Sequence, residues 1–145
     1  MTRRAALRIG REGVADSLAP DGSAALPAIA FLVDLQNGSG TTLTLQTATL
    51  TAGLWLPPAP QIADQILPGA MPRYVNAPAQ SFSGLGGSLI FVPMTGGSIT
   101  IGWTWPSGQA PQAGAYGQNT SLIVRGQLIN AGTGQPNFQV QVSTK

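Results

Sequence analysis

The sequence predicts an all-β fold, a two-sheet antiparallel β-sandwich, on three observations. Apolar residues alternate with small polar ones in several short runs. Gly, Pro and Asn separate those runs, with 19 glycines and 12 prolines in 145 residues. No run of the chain reads as a credible helix. Two sheets of alternating strands hide their apolar faces against each other.

The clearest strand is 98–106. Ile99, Ile101, Trp103 and Trp105 fall on one side, and Ser98, Thr100, Gly102 and Thr104 on the other. Pro106 has no N–H to give a ladder, so the strand stops there, and Gly108 permits a turn. An aromatic strand end beside a turn is either a plug for the core or a recognition surface.

The remaining elements follow in chain order. Residues 1–24 form an N-terminal arm, flexible or an edge strand, with Gly10 and Gly13 breaking up Leu7, Ile9, Val14 and Leu18. Residues 25–145 form a single sandwich domain, the size expected of one folding unit. Ala28–Leu35 is a core strand, and Asn37-Gly38-Ser39-Gly40 reads as a hairpin turn. Residues 41–52 make a Thr- and Leu-rich strand whose phase shifts between Leu45 and Leu50, the mark of a bulge. Six of the twelve prolines lie within residues 57–81, which predicts a long irregular crossing with a short strand at Arg73-Tyr74-Val75. Ser81–Gly87 reads as a glycine-rich turn entering the strand Ser88–Val92. Pro93–Gly97 is a second hairpin turn, and residues 109–117 are a small-residue loop carrying Tyr116. Ser121–Ile129 and a final strand with Phe138, Val140 and Val142 facing inward complete the chain.

Composition narrows function more than it suggests one. Charged residues are 8% of the chain, against about 25% in an average protein. Seven of the twelve charges lie in the first 21 residues; beyond them stand only Asp34, Asp64, Arg73, Arg125 and Lys145. The body therefore has no basic stripe with which to track phosphates, and no nucleic-acid partner is expected. There is no Cys and no His, which removes disulfides, thiolate zinc sites and every His-based catalytic array. Asp34 and Asp64 are the only carboxylates after residue 21, and nothing in the spacing pairs them, so an enzyme is not expected, nor a cofactor. The glycines at 84, 86 and 87 lack the helix and the Gly-Lys-Ser/Thr of a phosphate loop. No apolar run is long enough for a membrane-spanning helix, and Arg8 and Arg11 interrupt any signal-peptide core.

Binding is better equipped. Trp55, Trp103, Trp105, Tyr74 and Tyr116 fall at strand ends or in loops. Such rings suit a membrane–water boundary or an ammonium headgroup; each is equally suited to plugging the end of a sandwich. If Ile99 and Ile101 are core, both Trp103 and Trp105 start inward. Trp105, nearer Pro106, is then expected to emerge, and Trp103 to be structural.

Four ordered segments resemble the aegerolysins, small β-sandwich proteins of fungi and bacteria that recognise membrane lipids. Asp34–Leu45 is similar to the family's opening Asn-turn and Leu-x-Leu strand. Leu50-Thr-Ala-Gly-Leu-Trp55 before prolines is similar to its Leu…Gly-x-Trp segment. Phe82–Phe91 resembles its Gly-x-x-Gly turn, and Trp103-Thr-Trp-Pro-Ser-Gly108 its aromatic-x-x-Pro-x-Gly element. The resemblance implies sphingolipid-type binding, with Trp55 and the element Trp103, Trp105, Pro106 and Gly108 carried over; the turn position Ser83, and Tyr74 and Tyr116 from the aromatic pattern, are further candidates. It also implies a larger membrane-permeabilising partner, as in the bacterial branch whose small component belongs to two-component insecticidal, pore-forming toxins. Action at a target-cell membrane follows, after release from the bacterial cytoplasm or secretion; a homo-oligomer is left open. Two positions depart from the pattern: Ser83 stands where some members have glutamate, and Thr104 where an Asp is common. Both remove charge. The alternatives are a carbohydrate-binding module and a structural subunit of a virion or appendage.

Overall fold

The computed structural model describes residues 26–145. The N-terminal arm expected over 1–24 lies outside the described residues. Among these are ten strands and no helix: β1 (Phe31–Gly38), β2 (Leu43–Ala52), β3 (Leu54–Trp55), β4 (Gln65–Ile66), β5 (Arg73–Ala77), β6 (Gly84–Pro93), β7 (Ser98–Pro106), β8 (Gln112–Gln118), β9 (Ile123–Ile129) and β10 (Asn137–Ser143). They form two five-stranded sheets. Sheet 1 runs β9-β10-β1-β5-β3, and sheet 2 runs β4-β2-β6-β7-β8.

The sandwich expected from the alternation is present. Its core interleaves Phe31, Val33 and Leu35 of β1 and Phe138, Val140 and Val142 of β10 with Leu43, Leu45, Leu89, Phe91, Ile99 and Ile101 of sheet 2. Each of these is essentially inaccessible to solvent. One pairing departs from the antiparallel rule: β10 lies parallel to β1, with Val140 opposite Leu35. That leaves β1 flanked by a parallel neighbour on one side and antiparallel β5 on the other.

Asn37-Gly38 is a corner and not a hairpin turn, because β1 and β2 belong to different sheets. The buried Asn37 amide makes the corner. Its Nδ2 donates to the Thr41 and Ile66 carbonyls at 2.8 and 2.9 Å. Its Oδ1 accepts the Ser39 hydroxyl at 2.6 Å. An Asx side chain that satisfies turning backbone is a strong turn former whichever sheets the turn connects, and the local sequence does not reveal which.

The expected bulge in β2 is present as register shifts at Leu45/Thr47 and Leu50/Ala52. The turn at 94–97 joins antiparallel β6 and β7 as expected. Two further expectations fail. Residues 84–87 lie inside β6, not in a turn before it. They can, because a Cβ at Gly87 would meet the Thr49 carbonyl at 2.7 Å, so the glycine lets β2 lie close. Residues 112–118 are strand β8, not loop; Ala and Gly have weak β preference, and pairing with β7 supplies what propensity does not. The proline-rich crossing holds two strands, β4 and β5, the second covering the expected 73–75.

Candidate functional site

At one end of the sandwich β2 passes into β3 through Gly53. The turn has φ of 83°, and a Cβ there would meet Asn76 Nδ2 at 2.6 Å and the Ala77 carbonyl at 2.7 Å. Only glycine fits. The turn thereby presses Leu54 and Trp55 against β5, with Trp55 opposite Asn76.

Asn76 is fully buried and fully used. Its Nδ2 donates to the Ala52 carbonyl at 3.1 Å and the Leu54 carbonyl at 3.3 Å. Its Oδ1 accepts from the Gly86 N–H and from the Trp103 indole N–H, both at 3.0 Å. All four hydrogen-bonding positions of the amide are therefore taken.

The aromatic residues form a chain rather than a surface. Phe31 stacks on Trp103 at 5.8 Å and 8°. Trp103 meets Trp55 near edge-on at 5.9 Å, and Trp55 meets Tyr74 in the same manner at 6.5 Å. Such geometry favours ring packing beyond simple burial. Trp103 and Tyr74 are buried, and Trp55, packed between them, is half-buried. The Tyr74 phenol is pushed up to about 12, first by burial and second by the charge of Asp64.

Trp105 does not emerge as expected: it is 8% exposed, against 5% for Trp103. Phe82 covers it, ring centre to ring centre 4.7 Å. The strand period alone could not show that a distant loop caps the last inward ring. Tyr116 is 56% exposed but stands apart, on β8 opposite Thr100. The structure therefore gathers Trp55, Ser83 and the covered Trp105 at one end, buries Tyr74 and Trp103 beneath them, and leaves Tyr116 on a separate face.

Beside Leu54 and Trp55 lies a small cleft of about 230 Å³, between Gly53 and Gly84, walled by Pro78–Ser81 and Ser83. Ser81, Ser83 and Gln80 are among its lining residues, and none of the residues that line it is charged. Leu54, next in the chain to the lining residue Gly53, is 39% exposed. This rim combines neutral hydrogen-bonding groups with an outward apolar residue. Sequence pattern alone singled out neither Leu54 nor Asn76. The available signal for Asn76 was its type: Asn is depleted in strands unless its amide is needed. Asp34 and Asp64 do not form a pair; Asp34 binds Arg73 through both carboxylate oxygens, and Asp64 accepts the Gln61 N–H at 2.8 Å. Among the described residues no group of His, Cys, Asp and Glu is arranged to hold a metal ion.

No protein-family model matches the chain, and no curated protein matches it. Solved structures do. The lipid binding protein Nakanori superposes with a TM-score of 0.67 at 13% identity, over 81% of this chain and 72% of that one. IP-1A from Alcaligenes faecalis gives 0.65 at 12% identity, over 81% and 92%. RahU protein, solved with a TRIS molecule, gives 0.60 at 15% identity, over 80% and 93%. At these identities the likeness is one of architecture: this chain has the β-sandwich fold of those three proteins.

Proposed function

We propose that this protein is a membrane-lipid-binding β-sandwich of the aegerolysin type, and that the Leu54–Trp55 rim with its adjoining cleft is the contact site. The observation that carries this is an exposed Leu54 and a half-buried Trp55 that directly follow Gly53, a lining residue of a small, uncharged cleft that also holds Ser81 and Ser83. Lipid heads need both parts. Serine hydroxyls and amide donors suit phosphate oxygens, while Leu54 and the edge of Trp55 suit the boundary just below the heads. That a protein of the same fold is a lipid binding protein supports the reading.

Ser83 lines the cleft where related sequences place a glutamate, so no carboxylate waits there for an ammonium group. Recognition then rests on the phosphate and the amide or hydroxyl of the lipid backbone, the chemistry of a sphingophospholipid. The charge-poor body helps, because little hydration must be stripped from a surface that approaches a zwitterionic membrane. Asn76 and the aromatic chain beneath act as the rigid support of the rim.

The finer reading is that the protein is the small component of a two-component, pore-forming, insecticidal toxin: it docks, and a larger partner makes the hole. The four ordered sequence segments that resemble aegerolysins support it. Sedimentation with vesicles of phosphatidylcholine alone, with sphingomyelin or with ceramide phosphoethanolamine tests the binding. Sphingolipid-dependent retention is expected, and retention on none of the three would sink the proposal. Dye release from the same vesicles tests the second claim: this chain alone should leave them sealed, and leakage caused by it alone would refute the division of labour.

A further inference from the structure

A second concave site lies on the outer face of sheet 1 and shares no lining residue with the rim cleft. It is a groove of about 760 Å³, within the usual range for a small-molecule cleft. Three of the five charged side chains among the described residues line it: Asp34, Arg73 and Arg125. In so uncharged a body that concentration requires a reason.

Register places the outward side chains in two cross-strand rows. Gln127, Gln139, Asp34 and Arg73 form one; Arg125, Gln141 and Gln36 form the next. Strands lie about 4.8 Å apart and same-face residues about 6.8 Å apart along each strand, so the rows make a mesh on the scale of one sugar ring. Part of the mesh is tied internally. Arg73 holds Asp34 through two bonds of 2.6 and 2.9 Å, which raises the pKa of its guanidinium, chiefly through those bonds. Asn137 donates to Asp34 at 3.2 Å, Gln139 to Asn137 at 3.2 Å, and Gln141 to Gln36 at 3.0 Å.

What remains free decides the ligand. The Gln139 and Gln141 carbonyl oxygens accept, the Gln36 amino group donates, and the Gln127 amide does both. A ligand that serves all of them needs both donors and acceptors, and hydroxyls supply both in one group. Arg125 makes no ion pair or hydrogen bond among the described residues, whereas the charge of Arg73 is answered by Asp34. Among the described residues the groove thus offers one unanswered positive charge. Met71, 71% exposed at its edge, offers an apolar surface for the C–H face of a ring.

We propose that this groove binds a glycan carrying one acidic group, with the glutamine rows holding the hydroxyls and Arg125 holding the acid. This one chemistry has two sources, a free oligosaccharide and the head of a membrane glycolipid.

The test titrates the full chain with sialyllactose and with lactose, following the backbone amide signals of residues 34–36 and 139–141. In parallel, retention is measured on phosphatidylcholine vesicles carrying sialyllactosylceramide or lactosylceramide. The acidic form should bind about tenfold more tightly than the neutral one, the worth of a charge-assisted hydrogen bond. Arg125→Gln should erase that preference and leave lactose affinity unchanged. Gln127→Leu should weaken both sugars. An Arg125-dependent preference for the free trisaccharide marks a soluble glycan; the same preference on vesicles only marks a glycolipid. Equal binding of acidic and neutral forms, a preference that survives Arg125→Gln, or no binding in either format overturns the proposal. Leu54→Glu should leave the sugar titration unchanged, so failure of the rim and failure of the groove are read separately.

Discussion

The indole N–H of Trp103, in sheet 2, donates to the side-chain oxygen of Asn76, in sheet 1, at 3.0 Å inside the core. The same oxygen takes the Gly86 N–H, and the same amide nitrogen holds the carbonyls that flank Gly53. One side chain therefore ties the two sheets and the turn that carries Leu54 and Trp55. Asn76→Ala would leave two donors without partners in a buried site and two acceptors without them in a part-buried one. At about 1–3 kcal/mol for each unsatisfied group, with some relief by relaxation, a loss of about 3–5 kcal/mol is expected. Urea denaturation followed by tryptophan fluorescence measures it; a loss below about 1 kcal/mol would mean that the amide is not the tie described.

Two glycines should behave in opposite ways. Gly53→Ala places a Cβ within 2.7 Å of the Ala77 carbonyl at a φ of 83°, so it should cost at least about 2 kcal/mol and loosen the rim. Gly114, in β8, has ordinary backbone, and a methyl group there would meet nothing within 4 Å. Gly114→Ala should be neutral or stabilising by up to about 1 kcal/mol, through a less free unfolded chain. Paired melting curves for the two variants check both signs.

Tyr74 sets an alkaline limit. Its pKa is pushed up to about 12 by burial and by Asp64, from an ordinary value near 10. A raised folded-state value means that the native state holds the proton more tightly than the unfolded chain does. The stabilisation is complete below about 10 and is lost as pH rises through about 12. Unfolding free energy should fall across that window in the native sequence and less steeply in Tyr74→Phe. Phenolate absorbance should show a tyrosine that ionises only near pH 12, and Tyr74→Phe should remove that step.

Much of the fold was legible in the sequence, because alternation reports directly which face of a strand is buried. The inward set Ile99, Ile101, Trp103 and Trp105 is correct to the residue; one register shift of β2 lies within the expected Leu45–Leu50, a second lies just beyond it, and the final strand is present. What could not be read was placement between segments. Asn37-Gly38 announces a turn but not that it crosses between sheets. Trp105 lies at a strand end, yet Phe82, twenty-three positions earlier, lies over it. The rim depends on a glycine whose neighbours, Asn76 and Ala77, are distant in sequence. The groove of sheet 1 depends on register among four strands, one of them parallel. Local pattern fixes a residue's side of its strand; tertiary pairing fixes its company.

In the proposed function, Leu54 at the rim enters the membrane boundary. Leu54 is 39% exposed and its side chain is not part of the core cluster, so Leu54→Glu should fold with unchanged stability. Burying a leucine side chain is worth about 1.5–3 kcal/mol, so its loss should weaken binding to sphingolipid vesicles at least about tenfold. Side-by-side sedimentation of the native protein and Leu54→Glu over a titration of sphingomyelin vesicles is the decisive measurement. Retention of the first and release of the second at the same lipid concentration are expected; equal retention of both would contradict a membrane contact through Leu54.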